Sequence, residues 1–151
     1  LLSPWILPSL QAGTLCLPLS PHRPLQWIAA TDIGTFAARI LEQPEAFIGR
    51  HLDLAGDELA PAEAARVLTD RVGRDVAYQQ TRLTDDDSSD AARMWRYLES
   101  VGYSADIEGL RRDYPETGWH LLVEWLRTLD PSVFNRPGPF AAEALQTGEV
   151  S

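Results

Sequence analysis

The spacing of apolar residues along the chain changes period several times, and each change marks an element. Ile33, Phe36, Ala37, Ile40 and Leu41 recur at helical spacing, behind Thr31 and Asp32 as N-cap side chains and ahead of Pro44, which predicts a helix over 33–43. Ala64, Ala65, Val67 and Leu68 form a second helical stripe between Pro61 and Gly73, so a helix is predicted over 61–72. Arg50-His51-Leu52-Asp53-Leu54 instead alternates polar and apolar, as a half-buried strand does, and Ala55-Gly56-Asp57 is expected to turn the chain. Shorter extended stretches are expected at 14–19, 25–30 and 76–80, with Ser20-Pro21-His22-Arg23-Pro24 as a loop. Near the start, Ser3-Pro4 opens a short helix that Gly13 closes.

The second half of the chain reads as helical. The acidic run from Asp85 to Asp90 precedes a helix over 91–101, where carboxylates complement the positive potential of a helix start. Further helices are predicted at 107–114 and 120–129, and the proline- and glycine-rich stretch 131–151 is expected to be a loose tail. Strands alternating with helices and followed by helices alone indicate an α/β class with a mainly helical end.

Composition and charge narrow the functions open to such a fold. With 44% hydrophobic and 23% charged residues the chain is an ordinary globular sequence. Its formal charge, 13 − 22 = −9, disfavours nucleic acid and anionic membranes as partners. The single cysteine, Cys16, rules out an internal disulfide framework. With no secretory pattern and no long apolar run, the expected compartment is the cytoplasm. The chain begins at Leu1 and its one methionine is Met94, which reads as part of a longer protein.

All 13 basic residues are arginine. Without lysine the chain cannot form a Schiff base, a P-loop or a Tyr-x-x-x-Lys proton relay. His22, His51 and His120 lack the spacing of zinc ligands, so no metal is expected. The serines lack a G-x-S-x-G setting, so no hydrolase nucleophile is expected. Asp32 reads as an N-cap carboxylate rather than a ligand.

Arg23-Pro24-Leu25-Gln26-Trp27-Ile28-Ala29-Ala30-Thr31-Asp32-Ile33-Gly34 resembles a segment of NmrA-like proteins in which a W-I-A strand runs into a helix opened by D-I-G. The stretch from Pro44 to Asp57, ending Leu54-Ala55-Gly56-Asp57, is similar to the "P-E-x-F-x-G-x-x-x-x-L-A-G-D" stretch of the same family. The resemblance covers roughly 5–129 and weakens after Tyr78.

This resemblance implies the C-terminal part of a Rossmann-like, atypical short-chain dehydrogenase fold with a small, mainly helical cap. Residues 1–80 would belong to the Rossmann-like region and 81–130 to the cap on the substrate side. It also implies an NADP- or NAD-linked oxidoreductase or redox sensor. The family's cofactor is held mainly by a Gly-rich turn, and the glycines here never fall in a G-x-G-x-x-G or G-x-x-G-x-x-G pattern. Cofactor-binding residues are therefore not assigned, and whether the chain is itself an enzyme stays open.

In the resembled fold the loop of His22, the first helix with Trp5, and the cap helix with Met94 and Trp95 flank the substrate cleft. These four are the candidate pocket residues, since sulfur and flat aromatic surface suit a small apolar or carbonyl substrate. Ordinary packing or surface exposure is the competing reading for each. A non-catalytic interaction module is the alternative function. A partial parallel sheet would leave an open edge, so self-association or pairing with a missing N-terminal portion is expected.

Overall fold

The computed structural model describes residues 1, 3, 6–84 and 86–135. Among the described residues the strands form two separate two-stranded sheets. β1 (Thr14–Leu17) pairs in parallel with β4 (Ala77–Gln80), from Thr14 opposite Ala77 to Leu17 opposite Gln80. β2 (Leu25–Trp27) pairs antiparallel with β3 (Asp57–Leu59), Leu25 opposite Leu59 and Trp27 opposite Asp57. Among the described residues there are six α-helices: α1 (Leu7–Gln11), α2 (Ala30–Glu42), α3 (Pro61–Val72), α4 (Asp90–Ser100), α5 (Ile107–Asp113) and α6 (Leu122–Thr128). The mixture of helices and strands is α/β.

The expected strand at 50–54 is corrected. The third strand is Asp57–Leu59, within and beyond the expected turn. Leu52 and Leu54 do pack inward, but against the aromatic cluster described below, and the Leu54 N–H donates to the Tyr103 hydroxyl at 3.0 Å. Alternation reports which side chains are buried. A ladder also needs a neighbouring backbone, and β2 supplies one only to 57–59.

The short extended stretch at 25–30 likewise ends at Trp27, because α2 already begins at Ala30 with Ala29 as its extended cap. Asp32 therefore lies inside the first turn and is not the N-cap. α3 occupies the predicted 61–72. Glu63 in its first turn accepts the Ala60 N–H at 2.9 Å, and Gly73 closes it at φ +74°.

Two hydrophobic clusters hold these elements together. The first contains Leu10, Leu15, Leu17, Ala64, Ala65, Leu68, Val76, Leu122, Leu126 and Phe134. Residues 131–135, expected as tail, are thus part of the folded core. Pro131–Phe134 makes a 3-10 turn capped by Asp130, and burial of the Phe134 ring anchors it. The rest of that stretch lies outside the described residues.

The second cluster is aromatic. Phe36 meets Phe47 at 5.7 Å and Tyr114 at 5.0 Å, both edge to face, with Trp119 beside them at 5.5 Å. Both clusters take side chains from either side of residue 80.

Arginines fasten the helix ends. Arg74 donates to the carbonyls of Leu10 at 3.1 Å, Gln11 at 2.6 Å and Phe134 at 3.3 Å, while Arg71 donates to Leu126 at 2.8 Å and Leu129 at 2.5 Å. Carbonyls at helix ends have spare acceptor capacity, and the guanidinium fork can serve several at once.

Candidate functional site

β2 delivers the chain from Trp27 through Ile28 and Ala29 into α2, and that junction carries Asp32 into the interior at 1% exposure. A buried carboxylate needs hydrogen-bond donors to offset lost hydration. The partners come from far along the chain. Asp32 Oδ2 accepts the His120 backbone N–H at 2.8 Å, and Oδ1 lies 2.6 Å from His120 Nδ1. The Thr31 hydroxyl adds a longer contact of 3.3 Å to Oδ1.

The Leu54-Ala55-Gly56-Asp57 stretch holds the same distant segment from the other side. Asp57 Oδ2 accepts the Leu122 N–H at 2.8 Å, at the first turn of α6. Gly56 is pinned by its N–H to the Trp27 carbonyl at 2.8 Å and by Arg111 on its own carbonyl at 2.6 Å. The two stretches that carry the family resemblance thus converge on His120–Leu122. α6 starts at Leu122 rather than at the predicted 120, with Leu121 as its extended cap, and Asp57 satisfies one of the N–H groups that the first turn leaves unpaired.

A cavity of about 280 Å³ opens beside this junction. Its walls are Trp27 through Ala30, His120 through Leu122 and Trp125, together with Leu1 and Ser3. The lining is mainly apolar, and the His120 imidazole is its ionisable side chain. That side chain is 34% exposed, and among the described residues no hydrogen bond engages its Nε2. With Nδ1 held by a carboxylate, the ring is fixed in orientation and Nε2 is left to accept or donate a proton.

Of the four residues expected to line a pocket, the three that are described lie elsewhere. Trp5 falls outside the described residues. His22 is exposed on the turn after β1, and Met94 is exposed on α4. Trp95 is half-buried against the first cluster. None of His22, Met94 or Trp95 lines the cavity. The physical reason is the amphipathic orientation of α4, which turns Ala92, Trp95 and Glu99 towards the protein and Met94, Tyr97 and Val101 towards solvent.

The structure does bring the His22 loop against α4. Glu99 accepts the Ser20 N–H at 2.9 Å and also the Ser20 hydroxyl, and Arg23 Nε donates to the Leu98 carbonyl at 3.1 Å. The Ser20 hydrogen bonds hold the Glu99 carboxyl below the usual glutamate range. Tyr78 is raised by burial, and its hydroxyl is already engaged by the Leu17 carbonyl at 3.0 Å and by Leu19.

A dinucleotide pyrophosphate does not fit the starts of α2 and α3. A pyrophosphate needs free amides and no competing negative charge at a βα junction. The β2–α2 junction carries buried Asp32 and has no glycine between Trp27 and Asp32. The β3–α3 junction carries Glu63, whose carboxylate already occupies the Ala60 N–H. Among the described residues no group of three or more His, Cys, Asp or Glu is placed to hold a metal ion, and no helix is long and apolar enough to cross a membrane.

The Asp32–His120 pair was not legible in the sequence. Its members are 88 residues apart, and each has an ordinary local reading. The model of the NmrA-like family matches residues 6–106, which include Asp32, Gly56 and Asp57 and end before His120. Proteins of this family generally bind NAD(P). No curated protein matches the chain.

Proposed function

The chain belongs to the NmrA-like family, and from that premise we propose that it forms the substrate-side part of an NAD(P)-linked oxidoreductase or redox sensor. In this reading residues 1–80 are the C-terminal part of the Rossmann-like region and 81–130 a helical substrate-side region, while the Gly-rich cofactor turn is supplied from outside this chain. The observation that carries it is the apolar cavity walled by Trp27, Ile28 and Trp125, beside the Asp32–His120 pair. Small ligands are generally held by such a lining, with a few polar groups fixing their orientation. A small apolar or carbonyl compound is the ligand class.

The test pairs two titrations of the isolated chain. Acetophenone is expected to shift the indole N–H resonances of Trp27 and Trp125 selectively in NMR spectra. NADPH and NADH are expected to give no saturable signal, because the helices that follow β2, β3 and β4 carry Asp32, Glu63 and Asp90 in their first turns. Tight dinucleotide binding by this chain alone would overturn the division of labour.

A second reading, as a non-catalytic interaction module, is favoured by Met94, Tyr97 and Val101, which expose an apolar strip along α4.

A further inference from the structure

Asp32 is buried to 1% exposure and is hydrogen-bonded twice to one residue, through both the backbone and the ring of His120. That double grip does more than fix the loop. Because the carboxylate accepts the His120 backbone N–H, it also presents an acceptor to Nδ1, so the neutral imidazole carries its proton on Nδ1. Nε2 is then a lone-pair acceptor in a wall that, apart from Ser3, is apolar in its side chains. A carbonyl oxygen, itself only an acceptor, finds no hydrogen at Nε2, whereas a hydroxyl can donate to it.

We propose that the cavity binds a compact aromatic alcohol of the phenol class, whose hydroxyl donates to His120 Nε2 while its ring packs against Trp27 and Trp125. This rests on the substrate-side reading and narrows its ligand. Size agrees with it. A dry apolar cavity of about 150 Å³ takes up benzene, and the volume here, about 280 Å³, admits a substituted ring. Chemistry agrees as well. Trp27 Nε1 is spent on the Leu59 carbonyl at 3.0 Å, so that indole offers aromatic surface rather than a competing donor. Asp32 acts as a positioning residue, and His120 is the group that touches the ligand.

The experiment compares 4-ethylphenol with 4-ethylanisole, in which a methyl group replaces the hydroxyl hydrogen. Binding is followed by calorimetry in mildly alkaline buffer. The full chain is expected to bind the phenol about tenfold more tightly, the worth of one hydrogen bond. In Asp32→Asn the amide oxygen can still accept the His120 N–H, while the amide N–H₂ now donates to Nδ1 and moves the ring proton to Nε2. Preference for the phenol is then expected to disappear, because the phenol and the ether oxygen can both accept from Nε2–H. His120→Phe should bind both probes with equal affinity, which keeps the test decisive if Asp32→Asn does not fold.

Equal affinities for phenol and ether in the unmodified chain would remove the histidine's role and leave an apolar cavity. Failure of both probes to bind would overturn the substrate-side reading together with this assignment.

Discussion

A Cβ added to Gly56 would lie 2.6 Å from the His120 carbonyl oxygen, a backbone atom that cannot swing aside. Gly34, in the other family-like stretch, would meet nothing within 4 Å. The two glycines therefore predict opposite outcomes. Gly56→Ala is expected to displace the His120 segment and destabilise the protein by about 1–3 kcal/mol, the usual cost of overpacking. Gly34→Ala, exposed within α2, is expected to stabilise it by about 0.5–1 kcal/mol through helix propensity. Urea denaturation of both variants checks the pair. At this scale the sequence identifies Asp32 as an acid at a helix start. It carries no signal that the side chain abandons its own helix amides for His120, because that partner is set by how α2 and the 120–122 segment meet.

Elements defined by local chemistry were legible, and those defined by pairing were less so. α3 matches its predicted span because Pro61 and Gly73 act within a few residues of themselves. β3 does not, because strand identity at 57–59 depends on β2, about 30 residues earlier in sequence. The acidic start places α4 to within a residue, and Ser89 caps it at 3.1 Å to the Ala92 N–H.

The clasp between the Ser20 loop and α4 adds a pH dependence. The Glu99 carboxyl is held low by its bonds to Ser20, so the folded state binds that proton less readily than the unfolded chain. The resulting stabilisation is present above the ordinary glutamate range and lost as pH falls through the lowered folded value. Glu99→Gln should flatten this part of the acid limb in melting temperature against pH. An unchanged limb would show that the clasp is energetically silent.

At the scale of the molecule, the two sheets of two strands among the described residues are well below the size of a typical sheet. The β1–β4 pair is parallel, an arrangement usually buried within larger sheets. Concentration-dependent association is therefore expected in analytical sedimentation, through added strands or helices at these edges. A monodisperse, cooperatively unfolding monomer would contradict it.

The sequence by itself determined the helix boundaries near prolines and glycines, the acidic surface charge, the absence of lysine chemistry and the family resemblance, since each depends on residue type or on neighbours within a turn or two. Only the tertiary structure decided that the D-I-G and L-A-G-D stretches grip one distant segment, that Phe134 belongs to the core and that the apolar cavity lies at His120 rather than beside His22 and Met94. Those outcomes require the backbone of 120–122 to be brought against α2 and β3, and hydrogen bonds formed across 65 to 88 residues leave no period in the chain from which to infer them.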